Sequence, residues 1–480
     1  MNKGTAQSAP RIGPGPLGLN RRGFLRTTGA ALGTASTLTA LSASRVLGAN
    51  ERINVAVIGF GLIGRIHTNS FMDQPDVEIR AVADAYGPRV DEGAALAGSR
   101  CAKYADFRRL LGDKNIDAVV VATPDHWHAL ITMMACAAGK DVYCEKPLTL
   151  FVQEGRWMID VARRTKRIVQ VGVQNRSGPN FQKAGESIRA GHIGEVVSVQ
   201  NNFFRNVMPG FGNPPDCDPP PGLDYDMWLG PAPKRPYNPN RSLYHFRWFW
   251  DYSGGQMTNL GQHSLDLVHF YLGATAPKSV YSSGGRFHLK DNCEVPDTQD
   301  TVVEYPGFNA VCQYRECAAG KPGLGMGGLV FYGTKGSLAT GRAGYELVPD
   351  AKINPQNAVA KVLPSPHPVG GPQPVPDSQA GQFWTEPEKD QTGEAMKDYR
   401  RHARNFLDCV KSRKQPIADI ESGHQVVTVC HLANISLRTG RKILWDPHRE
   451  EIVGDKEANK MLVRPYREPW DHELHALLKG

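Results

Sequence analysis

The sequence predicts an α/β domain with a doubly wound parallel sheet, followed by an α+β domain with a large open, mostly antiparallel sheet. Three observations carry this expectation. Short β-branched runs alternate with helical stretches from Asn54 to Val173, a G-x-G-x-x-G turn closes the first strand, and longer strand-like runs dominate after residue 174. At 480 residues the chain exceeds what one ordinary core accommodates, so two domains are the default expectation.

In the first half, "NVAVIGF" reads as a buried strand, "LIGRIHTNSFMD" as a helix and "VEIRAVAD" as the second strand. "DFRRLLGD" is a short helix, "DAVVVATP" a strand, "HALITMMACAAG" a helix and "DVYCEKP" a strand. "VQEGRWMIDVARRTK" is then a helix and "IVQVGV" the last strand. Short links between such elements require right-handed crossovers and a parallel sheet. The second half offers the runs "EVVSVQNNFF", "KSVYSSGGRF", "DTVVEY", "AVCQYREC" and "GLVFYGTKGSLAT", with helices expected near 259–272, 398–411 and 421–439 covering one face. Two Pro-rich insertions interrupt it, "MPGFGNPPDCDPPPG" and "LPSPHPVGGPQPVP". Long loops in a compact domain are usually functional or interfacial. The boundaries expected are 1–49 for a leader, 51–174 for the doubly wound domain, 175–446 for the α+β domain and 447–480 for an ordered C-terminal strap.

The formal charge of +8 does not indicate a nucleic-acid partner. Residues 1–48 hold six basic residues and no acid, and removing those six from +8 leaves +2 for the remainder. No basic stripe with interleaved aromatics is left to track a phosphate backbone. The N-terminal charge has another reading. Arg21-Arg22-Gly23-Phe24-Leu25-Arg26 has the form of a twin-arginine signal, followed by the weakly apolar "TTGAALGTASTLTALSAS" and small residues near Ser44 or Gly48. The expectation is export in folded form through the twin-arginine machinery to a periplasmic or other extracytoplasmic space. Nine scattered cysteines lack zinc-like pairs, which suits a protein folded in a reducing compartment.

Gly59-Phe60-Gly61-Leu62-Ile63-Gly64 follows a strand and opens a helix. Gly59 permits the tight turn, Gly61 lets backbone N–H groups approach a pyrophosphate, and Gly64 allows close helix–strand packing. Asp84 ends the next strand about twenty residues on, where a carboxylate accepts ribose hydroxyls and repels a 2′-phosphate. NAD is therefore favoured, with Arg89 leaving NADP open. "ATPDHWHA" lies at the carboxyl end of a strand, so Thr123, Pro124, His126, Trp127 and His128 are expected to wall the dinucleotide. No metal is expected, because His126 and His128 are one residue apart and have no third ligand.

"YCEKPL", with "GGQMTNLGQHSLDLVH" downstream, resembles the glucose-fructose oxidoreductase/inositol dehydrogenase (Gfo/Idh/MocA) family over residues 52–445. The long C-terminal part is similar to exported, inositol 2-dehydrogenase-like members. The resemblance implies a Rossmann domain joined to an open-faced α+β domain, with substrate held between them. It implies Lys146 beside the nicotinamide and the reacting hydroxyl, Glu145 turned aside, and His263 as the second catalytic position. Many members carry Asp where this chain has Asn259, four residues before His263. Asn can orient an imidazole but cannot stabilise imidazolium by charge, which shifts weight to Lys146. "GVQNRSGPNF" supplies Gln174, Asn175 and Arg176 as substrate contacts, and "HFRWFWDYSGG" supplies Arg247, Trp248 and Asp251. Stacking aromatics with charged neighbours suit a sugar, although aromatics are also core residues.

The expected activity is hydride transfer between a tightly bound NAD(H) or NADP(H) and a secondary hydroxyl of a sugar or cyclitol. An exported enzyme meets no nucleotide pool, so its cofactor must be recycled in place. That leaves open a cyclic route, in which transient oxidation serves glycoside cleavage or epimerisation. It also leaves open a non-catalytic sugar-binding protein. Pairing of the exposed sheet face predicts a homo-oligomer.

Overall fold

The computed structural model describes residues 52–318, 328–352 and 382–479. The twin-arginine stretch and the insertion "LPSPHPVGGPQPVP" lie outside the described residues.

The first half builds a six-stranded parallel sheet in the order β3-β2-β1-β4-β5-β6. Its strands are β1 (Ile53–Ile58), β2 (Val77–Ala83), β3 (Ala102–Tyr104), β4 (Ala118–Val121), β5 (Asp141–Cys144) and β6 (Val169–Val171). The central strands are buried on both faces, which is why they read as unbroken apolar runs. The connecting helices are α1 (Leu62–Met72), α2 (Gly87–Ala97), α3 (Phe107–Leu111), α4 (Asp125–Ala137) and α5 (Val152–Arg164). Helix α2 and strand β3 were not legible in the sequence, since Gly and Ala blur the period of α2 and β3 has only three residues. Helix α4 starts at Asp125, so "DHWH" forms its first turn rather than a loop.

After α6 (Pro179–Arg189) the second sheet has ten strands, in the order β14-β13-β12-β11-β7-β10-β9-β8-β15-β16. They are β7 (Val196–Phe204), β8 (Ser279–Gly285), β9 (Thr298–Glu304), β10 (Asn309–Arg315), β11 (Leu329–Gly333), β12 (Gly336–Gly341), β13 (Gly344–Pro349), β14 (Glu388–Asp390), β15 (Ile443–Asp446) and β16 (Glu451–Ile452). Every pairing is antiparallel except β7 with β10. The run "GLVFYGTKGSLAT" is two strands, β11 and β12, folded as a hairpin at Thr334–Lys335. Between β7 and β8 lie α7 (Tyr225–Leu229), α8 (Gly255–Asn259) and α9 (Gly261–Leu272). The helix expected near 259–272 is α9, preceded by the short α8, so that Asn259 and His263 sit on two helices meeting at Leu260.

Helices α10 (Ala395–Ser412) and α11 (Ile420–Thr439) return the chain to the first sheet. Ala403, Phe406 and Leu407 of α10 complete a core with Phe60, Phe71 and Tyr143. Helix α11 places Val427 in the core of the parallel sheet and Val426 and Val429 in that of the second, so both faces of the helix are apolar. After α12 (Lys456–Asn459), the tail ends in α13 (Trp470–Lys479). Trp470 packs edge-on to Trp127 at 4.8 Å and stacks near Phe107. Burying each such side chain contributes about 1.5–3 kcal/mol, so the tail belongs to the folded body.

Candidate active site

The turn between β1 and α1 shows why its glycines are there. Gly59 has φ +92°, and a Cβ on it would stand 2.7 Å from the main chain of Ala122. A Cβ on Gly64 would stand 2.1 Å from the Gly59 oxygen, so only glycine lets α1 lie this close to the sheet. Gly61 has nothing nearer than Arg89 Nη1 at 3.7 Å, and its face stays open. No side chain caps α1, which leaves its first N–H groups, around Leu62 and Ile63, free for an anion.

Asp84 is held beside this cradle by the N–H groups of Phe60 (2.7 Å) and Tyr86 (2.9 Å). A carboxylate has about four acceptor positions, so about two remain for ribose hydroxyls. Burial raises its pKa and the charge of Arg89 opposes that. Thr123, Pro124 and Trp127 line the same cleft. Thr123 Oγ1 is buried without a partner, a polar atom left for a bound group. The cradle, the carboxylate and this orphan hydroxyl together fit a dinucleotide.

A feature absent from the sequence reading closes the cleft. The first Pro-rich insertion leads to Met227, Trp228, Leu243, Tyr244, Phe246 and Arg247, which line its outer wall. This cover is fastened at two edges. Gly87 N–H donates to Gly222 O at 2.9 Å, and Asp224 N–H to Ala85 O at 2.8 Å. On the other side Arg467 donates to Gly230 O at 3.0 Å and to Asp226 Oδ1 at 2.8 Å.

Lys146 follows β5, and the Lys146–Pro147 bond is cis. Its Nζ donates to Asn259 Oδ1 at 2.8 Å and to Asn259 O at 2.9 Å. Loss of hydration lowers its pKa to about 8, with Arg247 and Arg342 adding to the fall and Glu145 and Asp125 resisting it. Glu145 does turn aside: Oε1 meets His67 Nε2 at 2.6 Å and Oε2 accepts the Lys146 N–H at 3.0 Å. Burial would raise the Glu145 pKa, but the His67 hydrogen bond and the Lys146 charge outweigh it and hold the pKa below its ordinary value. His263 is buried on α9, with Nδ1 unpartnered. Burial, then the charges of Lys146 and Arg342, push its pKa well down, so it is a neutral imidazole.

Several expected contacts lie elsewhere. His126 and His128 stand behind the cleft wall instead of lining it. His126 Nε2 meets Trp228 O at 3.0 Å, and burial lowers its pKa to about 3. His128 joins two loops, with Nδ1 at 2.7 Å from Pro147 O and Nε2 at 2.9 Å from Thr123 O. Arg176 is not free for substrate: its guanidinium is committed to buried Asp266, at 2.7 Å from both carboxylate oxygens, and to Ile417 O. Trp248 is core, 3% exposed, its Nε1 donating to Glu316. Asp251 pairs with Arg235 at 2.8 Å and does not line the cleft. Gln174 is buried at the start of a 3-10 turn, with Oε1 unpartnered. Arg247 does line the cleft, its guanidinium 4.7 Å from the Phe246 ring. No metal-binding cluster occurs among the described residues.

Four residues near Lys146 escaped sequence reading. Asp125 accepts a hydrogen bond from Ser253 Oγ at 2.5 Å, and burial raises its pKa. It stood inside the motif "ATPDHWHA", so its place was visible and its role was not. Gln256 likewise stood inside "GGQMTNLGQHSLDLVH", whereas Glu316 and Arg342 arrive from distant segments with no local signal.

Comparison with known proteins agrees with this architecture. Residues 53–173 match the family described as "Oxidoreductase family, NAD-binding Rossmann fold". Residues 204–290 and 381–472 match "Oxidoreductase family, C-terminal alpha/beta domain". The chain is 35% identical over 167 residues to inositol 2-dehydrogenase 1 of Saccharopolyspora erythraea, covering 33% of this chain and 50% of that protein. It is 32% identical over 253 residues to myo-inositol 2-dehydrogenase of Thermotoga maritima, covering 52% of this chain and 64% of that protein. The chain thus spans between half and just under two thirds of these curated relatives. A solved levoglucosan dehydrogenase, in complex with NADH and levoglucosan, superposes with a TM-score of 0.60 at 20% identity, covering 82% of this chain and 99% of that one.

Proposed function

The chain belongs to the Gfo/Idh/MocA oxidoreductase family, and from that premise we propose that it transfers hydride between a firmly held NAD and a secondary hydroxyl of a sugar or cyclitol. The observation that carries this reading is the setting of Lys146. A neutral amine has two N–H donors and one lone pair. Both donors have an acceptor on Asn259, so the lone pair is left for the hydroxyl proton. A pKa of about 8 lets the amine take that proton near neutral pH and return it in the reverse direction. Neutral His263 offers a hydrogen bond to the substrate without competing for the charge. When bound, the nicotinamide supplies the hydride acceptor; Gly59–Gly64, Asp84 and Thr123 are the residues that would hold the dinucleotide. Relatives named for inositol oxidation support a polyhydroxylated ring as substrate.

The doubly fastened cover supports slow cofactor release. Export by the twin-arginine machinery to an extracytoplasmic space is part of the same proposal, supported by Arg21-Arg22-Gly23-Phe24-Leu25-Arg26. So is self-association through the open sheet face, where Tyr281 and Val302 are exposed.

The test is to denature protein purified without added cofactor and identify the released nucleotide by absorbance and mass, then to add cyclitols and follow NADH. NAD in the eluate and NADH on substrate addition are expected. Protein that is empty and refuses both dinucleotides overturns the reading. Fractionation of cells producing wild type and the Arg21→Lys/Arg22→Lys variant tests export, the variant being expected to stay inside.

A further inference from the structure

We propose that Glu316 is a positioning residue for Lys146, acting through Gln256 to fix the direction of the Asn259 amide so that its oxygen faces the amine. The inference rests on the reading of Lys146 as the proton-transferring group. Glu316 follows β10 and is 1% exposed. Its carboxylate accepts from Arg205 (Nε at 2.8 Å), from Trp248 Nε1, and from Gln256 Nε2 at 2.6 Å. Gln256 Oε1 then accepts from Asn259 Nδ2 at 3.1 Å, and Asn259 Oδ1 accepts from Lys146 Nζ at 2.8 Å.

The direction of this chain follows from chemistry. An ionised carboxylate only accepts, so Gln256 must turn its amino group to Glu316 and its oxygen to Asn259. Asn259 must then turn its amino group to Gln256 and its oxygen to Lys146. Reversing either amide sets two acceptors or two donors against each other in the interior, which costs more than a lost hydrogen bond. Asn suits this position because it has a different group at each end. An Asp would present oxygen to Gln256 as well as to Lys146 and oppose the direction Glu316 imposes.

The prediction is a coupling between Glu316 and Asn259. Asn259→Asp alone is expected to lower kcat/KM at least tenfold. Glu316→Gln frees Gln256 to turn, so the double variant is expected to be at least tenfold more active than the product of the two single effects, a coupling of about 1.4 kcal/mol or more. A readout independent of turnover is the midpoint of Lys146 acylation by trace acetic anhydride across pH, followed by peptide mass spectrometry. The other charged groups around the amine (Glu145, Asp125, Arg247 and Arg342) and the His263 ring are common to every variant. Glu316→Gln is expected to lower that midpoint by half a unit or more, since the ammonium loses a fixed acceptor. Should that variant fail to fold, Gln256→Leu keeps the Arg205 pair and is expected to abolish the Asn259→Asp penalty. Strictly multiplicative losses, or an unmoved Lys146 midpoint, overturn the proposal. Wild type that binds NAD but oxidises no polyol overturns the functional reading instead, while the acylation titration still decides the role of Glu316.

Discussion

The carboxylate of Glu145 meets His67 Nε2 at 2.6 Å inside the parallel-sheet domain, facing away from the amine of the very next residue. Neighbours of opposite charge are thereby kept from forming a pair, and Lys146 is left to Asn259. Glu145 still acts on Lys146 through space, as the largest influence resisting the fall in its pKa.

Glu145→Gln is expected to shift the acid limb of kcat/KM to lower pH, because the amine loses a stabilising charge. It also removes a pH-dependent part of the stability. The folded pKa of Glu145 is depressed, so its contribution is present above the ordinary value of about 4.5 and is lost as pH falls through the folded value. The variant should show a flatter loss of stability below that pH and a stability at pH 7 lower by about 1–3 kcal/mol, measured by thermal unfolding across pH. An unchanged acid slope would contradict this account.

Oxidation should require Lys146 as the neutral amine. Rate at saturating NAD is expected to rise with pH through about 8 and then level off, while ketone reduction is favoured below it. Lys146→Ala is expected to cut kcat at least a thousandfold and leave NAD in the purified protein. Lys146→Met, which relieves a poorly hydrated ammonium, should unfold at a higher temperature than wild type in differential scanning calorimetry. A variant that keeps a tenth of the activity would remove Lys146 from the chemistry.

Asp84 and Arg89 both line the cleft, Asp84 held by the Phe60 N–H and Arg89 Nη1 lying beside Gly61. Asp84→Ala is expected to weaken NAD binding at least tenfold and to favour NADP, because the 2′-phosphate then meets Arg89 without a repelling carboxylate. Adding Arg89→Ala should abolish that gain. Calorimetric titration of protein stripped of nucleotide reads both steps.

Arg467 fastens the cover over the dinucleotide cleft through Gly230 and Asp226. Arg467→Ala is expected to speed nucleotide release at least tenfold, with kcat nearly unchanged when NAD is in excess. Dilution of nucleotide-loaded protein into an NADH-scavenging assay gives the rate. An equal off-rate would mean that the cover does not retain the cofactor.

Much of the parallel-sheet domain was legible because its signals are local. Strands buried on both faces leave apolar runs, the glycine spacing from Gly59 to Gly64 marks the turn between β1 and α1, and Asp84 closes the following strand. Substrate contacts were legible only as residue types. Arg176, Trp248 and Asp251 each have chemistry that suits a sugar. Their partners Asp266, Glu316 and Arg235 come from segments the sequence does not connect to them.

By itself the sequence determined most of the strand and helix order of the parallel-sheet domain and the dinucleotide turn, since periodicity and turn chemistry act over a few residues, and its family resemblance pointed to the lysine. Only the tertiary structure decided which polar groups meet. It set Glu316 behind Gln256 and Asn259, laid the insertion and the Arg467 tail over the cleft, and filled the first core with α10. Hydrogen bonds and packing act through space, between side chains separated by scores to hundreds of residues, and no local pattern records such a distance.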